Sequence, residues 1–132
     1  MQTRAYYLAH RSQKRATSLA QYRKHRIAIA RRKSLKSRAL RVETITAYGG
    51  RCACCGETEL SFLCMDHVHG DGAAHRRTLG GHHAGGRKMY LWLKREGFPK
   101  DRFRVLCYNC NIARGLYGQC PHELAPERAA TA

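Results

Sequence analysis

The chain has 132 residues, 43% of them hydrophobic and 26% charged, which is room for one ordinary domain and an appendage. Twenty-five Lys and Arg against nine Asp and Glu give a formal charge of +16, a balance that favours a polyanionic partner. No apolar run approaches the ~18–20 residues of a membrane span, and Met1-Gln2-Thr3-Arg4-Ala5-Tyr6-Tyr7 has no signal-type apolar stretch. An integral membrane protein is excluded and a cytoplasmic protein is expected.

The first 42 residues hold thirteen Lys and Arg and no acid; residues 43–132 hold twelve and nine. The cationic leader has no Gly or Pro before Gly49 and is rich in good helix formers. Residues 3–32 are expected to form a helical or nascent-helical arm carrying Tyr6, Tyr7 and Tyr22. A helix over about 34–48 should dock on the domain behind it through Leu35, Ala39, Val42 and Ile45/Thr46, at roughly helical intervals. Thirteen positive charges without an acid suit phosphate contact, through residues such as Arg23, Lys24, Arg26, Arg31, Arg32 and Lys33. Such contacts give affinity rather than sequence choice.

Gly49-Gly50 should end that helix. The apolar run Leu60–Met65 reads as a strand leading into the polar group Asp66-His67-Val68-His69-Gly70-Asp71-Gly72. Residues 73–86, with four glycines, read as a loop in which His75, His82 and His83 touch phosphates or nothing. A short helix is expected over Arg87–Glu96, a strand over Arg102–Leu106 and a last helix over about Asn111–Tyr117. Cys120-Pro121-His122 onward reads as loop and fraying end. The elements are mixed, so the expected fold class is α+β, divided into an arm (1–33), a domain (34–122, with an insert at 73–98) and a tail (123–132).

Seven cysteines in a chain without an export signal suggest metal ligation rather than disulfides. Cys52/Cys55 and Cys107/Cys110 are two C-x-x-C turns, each able to aim two sulfurs at one ion, and together they complete a tetrahedral zinc site. The 51 residues between the pairs exceed a zinc-ribbon spacing, so a sizeable piece is inserted. A closed four-Cys site is structural. Cys54 breaks the two-residue spacing and is left out; Cys64 reads as a small buried side chain. Cys120 with His122 would be a second, incomplete metal site or an incidental pair.

If zinc pins Cys55 to Cys110, the end of the first strand faces the last helix. Asp66 and Asn111 could then give oxygen ligands to a divalent cation such as Mg²⁺, and His67 could take a proton from water. Asp66 and His67 are neighbours on a strand and should point to opposite faces unless the strand breaks near Gly70 and Gly72. Taken singly, an Asp-His pair is a surface turn and Asn111 a helix cap. Arg114, three residues beyond Asn111, shares its helix face and suits a neighbouring phosphate or plain solvent.

These residues resemble the HNH, or ββα-metal (His-Me finger), nuclease superfamily, and within it the phage recombination endonuclease VII group. The resemblance covers about residues 47–118. It rests on Cys52/Cys55, on Asp66-His67-Val68-His69 with Gly70, and on Leu106-Cys107-Tyr108-Asn109-Cys110-Asn111-Ile112 with Ala113 and Gly115. Trp92-Leu93, Phe98-Pro99 and Phe103–Cys107 are also similar to small HNH proteins encoded in phage genomes. The resemblance implies a zinc-stabilised ββα-metal core and a DNA endonuclease, with Asp66 and Asn111 holding Mg²⁺ or another divalent cation, His67 as general base and His69 assisting. It also implies double-stranded DNA as partner and products with 5′-phosphate and 3′-hydroxyl ends; a homodimer would suit cutting of both strands. Two departures stand out. Asn111 takes the place of the family's last histidine, and Arg102, near the middle Asn that orients the base, cannot accept a hydrogen bond. Another group must steer His67. The alternatives are a non-catalytic zinc-stabilised DNA- or RNA-binding protein and a basic structural component of a particle.

Overall fold

The computed structural model describes residues 3–81 and 84–124. It divides the chain into two compact units, Met1–Lys36 and Ser37–Ala132. His82, His83 and residues 125–132, most of the tail, lie outside the described residues.

The first unit is helical. Thr3 caps α1 (Arg4–Ala9) by accepting from the Tyr6 N–H at 3.4 Å, and α2 runs over Arg11–Ala47. None of the described side chains before Ser37 is buried. Tyr6 stacks on His10 with ring centroids 4.1 Å apart, and Lys14 Nζ lies 5.1 Å from the Tyr6 ring.

In the second unit, the last turns of α2 bury Leu40, Thr44 and Ile45, of which only Ile45 was expected to dock; Ala39, Val42 and Thr46 are exposed, as is Leu35 near the end of the first unit. The expected apolar stripe is therefore displaced. Polar residues occupy the true one because each is satisfied where it is buried. Thr44 Oγ1 donates to Leu40 O at 2.8 Å, and Arg41 Nη2 donates to Leu60 O and Leu63 O at 2.9 and 2.7 Å. A satisfied polar group loses little on burial. Gly49, at φ +99°, and Gly50, whose N–H returns to Ile45 O, close the helix.

A 3₁₀ turn (Leu60–Phe62) precedes β1 (Leu63–His67), which pairs antiparallel with β2 (Phe103–Cys107) in a two-stranded sheet. The register sets Leu63 opposite Cys107, Asp66 opposite Arg104 and His67 opposite Phe103. Two stranded ribbons are marginal alone, and this one is covered by α5 (Tyr108–Tyr117), which starts directly from β2.

The stretch expected as loop contains α3 (Gly72–Thr78). Its Ala-Ala-His-Arg-Arg interior is helix-compatible, and the glycines that suggested a loop cluster only from Gly80. Helix α4 (Arg87–Arg95) presents Met89 and Leu93 to Phe103, making a second small core beside that of Ile45, Leu63, Val105 and Leu106. Beyond Gly118, at φ +76°, α6 (Pro121–Leu124) replaces the expected fraying end. No described helix is long and apolar enough to cross a membrane.

Candidate metal centre and active site

The two C-x-x-C turns are built differently. At the first, Cys52 N–H donates to Glu57 O at 2.8 Å, Gly56 N–H to Cys52 O at 3.0 Å, and Ala53 N–H ties the turn to Val105 O of β2. Gly56 takes φ +80°, a conformation that glycine adopts without penalty. At the second, Cys107 is the N-cap of α5 and Cys110 lies in its first turn, with the Cys110 N–H directed at Cys107 Sγ. The pairs meet at Cys55 Sγ and Cys107 Sγ, 3.7 Å apart.

Two groups of four donors result. The ligand atoms of Cys52, Cys55, Cys107 and Cys110 all lie within 4.8 Å of one another, as do those of Cys54, Cys110, Cys120 and His122. Either group could hold a metal ion such as zinc. Cys54, which its spacing set aside, thus joins the cluster, and the Cys120/His122 pair that read as an incomplete second site or an incidental pair is completed by Cys54 and Cys110.

The thiols are electrostatically unequal. Burial raises Cys52, but N–H groups of Cys55, Cys107 and Cys54 outweigh it and bring the thiol down to about 6. Burial likewise raises Cys120, yet the His122 N–H and its Cys110, Cys54 and His122 neighbours bring it down to about 7. Cys110 is driven strongly upward, by burial first and then by the crowding of Cys107, Cys120, Cys55 and Cys54. So many sulfurs ionise together only around a cation.

Next to this cluster, Asp66, His67, Asn111 and Arg114 line one cavity of about 240 Å³ with Arg104, Gly70 and Gly115. Asp66 and His67 both reach it although they are consecutive on β1, because His67 is the strand's last residue and the chain turns at Gly70, φ +69°. Asp66 Oδ2 accepts from Arg104 Nε at 2.8 Å, a cross-strand ion pair set by the register. Asn111 Nδ2 donates to Cys64 Sγ at 3.4 Å, and the buried Cys64 thiol donates to Leu106 O. Arg114 is paired with Glu123, and its Nε is buried without an acceptor among the described residues. His69 is exposed and does not line this cavity.

The group that steers His67 is His75. Its Nδ1 lies 3.0 Å from His67 Nε2, so His75 belongs to a buried helix face rather than to a phosphate-facing loop. His75 is clamped in turn by Trp92, centroids 4.3 Å apart, and both imidazoles pack on Phe103. Burial lowers the pKa of both histidines. At His67, Asp71 and Asp66 oppose the shift while His75 and Arg76 add to it; at His75, Arg102 adds and Asp71 opposes. Gly72 presses against the pair, since a Cβ there would come 3.0 Å from His67 Nδ1. Arg102 reaches the same corner, 3.6 Å from Asp71 and over the Trp92 and Phe103 rings.

Arg23, Lys24, Arg26, Arg31, Arg32 and Lys33 are all exposed on α2 within the first unit. Compared with known proteins, the chain matches no family model, no curated protein and no solved structure.

Proposed function

We propose that this protein is a metal-dependent endonuclease of the HNH type that hydrolyses phosphodiester bonds in double-stranded DNA. The observation that carries the reading is the cavity shared by Asp66, His67, Asn111 and Arg114, residues drawn from two elements more than forty positions apart. The order β1, β2, α5 is the one a ββα-metal core requires, and the Cys52/Cys55/Cys107/Cys110 group suits a structural zinc that holds the strand pair to the helix.

Asp66 and Asn111 offer hard oxygen donors, the set Mg²⁺ prefers. Arg104 engages only Oδ2 of Asp66, and the Asn111 amide nitrogen is turned to Cys64, which leaves Oδ1 of each for a cation that keeps several waters. A bound Mg²⁺ or similar ion would supply positive charge to the scissile phosphate and the leaving oxygen. The protein's own groups do the rest. With its hydrogen on Nε2 and donated to His75 Nδ1, neutral His67 has its lone pair on Nδ1. It can there accept the proton of a water attacking phosphorus. Burial keeps the imidazole neutral at physiological pH. Arg114 would exchange Glu123 for a phosphate oxygen, fixing the strand in register. The exposed cations of α2 would add sequence-independent affinity.

The Asp66–Arg104 ion pair gives a second reading its support: Asp66 would then hold the sheet together in a zinc-stabilised nucleic-acid-binding protein without catalysis. Plasmid nicking with Mg²⁺ separates the two. The native protein should cut, leaving 5′-phosphate and 3′-hydroxyl ends, and His67→Ala should bind DNA but cut at least ~10²-fold more slowly. A native protein that binds and never cuts selects the second reading.

A further inference from the structure

We propose that the chain binds two zinc ions in one closed cluster of six cysteines and a histidine, with Cys110 Sγ bridging them. One ion takes Cys52, Cys55 and Cys107; the other takes Cys54, Cys120 and His122; both take Cys110.

Three observations converge on this. The first is metrical. A tetrahedral ion with Zn–S near ~2.3 Å and Zn–N near ~2.0–2.1 Å has S···S edges of ~3.8 Å and S···N edges of ~3.6 Å. Cys55 Sγ and Cys107 Sγ are 3.7 Å apart, and His122 Nδ1 lies 3.4 Å from both Cys110 Sγ and Cys120 Sγ. The donors already stand close to the edges of two tetrahedra that share a vertex.

The second is valence. A single four-coordinate ion would leave three of the gathered soft donors unused, one of them the buried Cys120. Two independent ions would need eight donors where seven are gathered. One bridging thiolate gives each ion four ligands and leaves no donor over, and a thiolate has lone pairs enough to serve two cations.

The third is packing. The segment after α5 turns at Gly118 and returns through α6, but of Cys120 to Leu124 only Cys120 is buried, and Leu124 is 67% exposed. A four-residue helix with no buried side chain of its own, anchored only through the preceding Cys120, has too little apolar contact to hold itself against the domain. Its other ties are polar: Glu123 accepts from the Cys120 N–H at 3.2 Å and pairs with Arg114 of α5. A second ion supplies the missing adhesion. The bridge also joins this strap to the residue immediately before Asn111. The proposal does not depend on any nuclease activity.

Native mass spectrometry of the full-length protein, purified with zinc present, should find two ions per chain; one ion per chain at saturating zinc overturns the proposal. Reconstitution with ¹¹³Cd should give two resonances, one with four sulfur ligands and one with three sulfurs and a nitrogen, mutually coupled through the shared thiolate. Two uncoupled resonances overturn the bridge. Cys120→Ser/His122→Ala should hold one ion with an all-sulfur resonance. His122→Ala alone, which keeps every sulfur, should move only the mixed-ligand resonance, and a shift of the other or of neither overturns the assignment.

Discussion

The two units of this chain illustrate opposite solutions to the problem of a small core. Between Ser37 and Leu124 the protein buries two modest apolar clusters and gathers seven soft metal donors beside them. Before Ser37 it buries none of its described side chains and carries unopposed positive charge along a helix. A helix polar on all sides draws no stability from packing. Under the proposed function the first solution makes order depend on a cation and the second on an anion, so that each dependence should be removable without touching the other.

Metal removal should have the largest effect. Structural zinc contributes on the order of 10–16 kcal/mol to folding in small metal-dependent domains, a sum comparable to the whole stability of an ordinary domain. A strong chelator should therefore abolish the near-ultraviolet circular dichroism of Trp92, which is packed between His75 and Phe103. Readdition of zinc should restore it. Survival of that signal after complete metal loss would mean that the apolar clusters suffice alone.

The complementary change belongs to the arm. Replacing Arg23, Lys24, Arg26, Arg31, Arg32 and Lys33 by Gln should leave metal content and the Trp92 signal unchanged while weakening DNA binding. Each lost phosphate contact lowers the slope of log K against log salt by ~0.9, so six would flatten it by up to ~5. An unaltered slope in a fluorescence-anisotropy salt titration would place the phosphate contacts elsewhere.

How much of this could be read from the sequence depended on how local each signal was. Cys52/Cys55 and Cys107/Cys110 announce themselves by spacing, because a C-x-x-C turn is a local device. The second donor group has no such signature. Cys54 enters it because the knuckle ending at Gly56 leaves a third sulfur near Cys110, and His122 only because Gly118 turns the chain back. His75 was hidden in the same way: its partner lies eight residues earlier on a strand, and the glycines that follow disguised a short helix as loop. The α2 stripe was misplaced because Thr44 and Arg41 look like solvent-facing residues until their hydrogen bonds to Leu40, Leu60 and Leu63 are seen. Pattern finds apolar burial and misses polar burial that is satisfied at a distance.

Within the second unit, His75→Phe separates packing from proton chemistry. The ring contacts with Trp92 and Phe103 would be kept, but the hydrogen bond to His67 Nε2 would be lost. Cleavage should fall about tenfold with little change in DNA affinity, while His75→Gln, which keeps a hydrogen-bonding group, should recover part of the loss. The pH dependence of stability should change as well. A buried histidine whose pKa is lowered binds its proton more weakly folded than unfolded. Its destabilising effect is thus absent well above the unfolded value of about 6.5 and grows as pH falls below it. Chemical denaturation of the zinc-loaded protein between pH 7 and pH 5.5 should show native stability declining and His75→Phe declining less. Equal declines would mean that His75 is not held neutral by its surroundings.

The smallest change tests the space around the base. Gly72 starts α3 with no left-handed requirement on its backbone, so an added methyl group costs no torsional strain there. Its Cβ would stand 3.0 Å from His67 Nδ1 and 3.5 Å from Arg76 Nη1, close enough to displace the imidazole by a few tenths of an ångström. Alanine is also the better residue inside a helix, by about 0.5–1 kcal/mol. Gly72→Ala should therefore leave thermal stability level or slightly raised while cleavage drops a few-fold. That division is what separates a glycine kept for access to Nδ1 from one kept for the fold. If stability falls together with activity, the contact is structural, and the open side of His67 must be sought on its Gly70 flank.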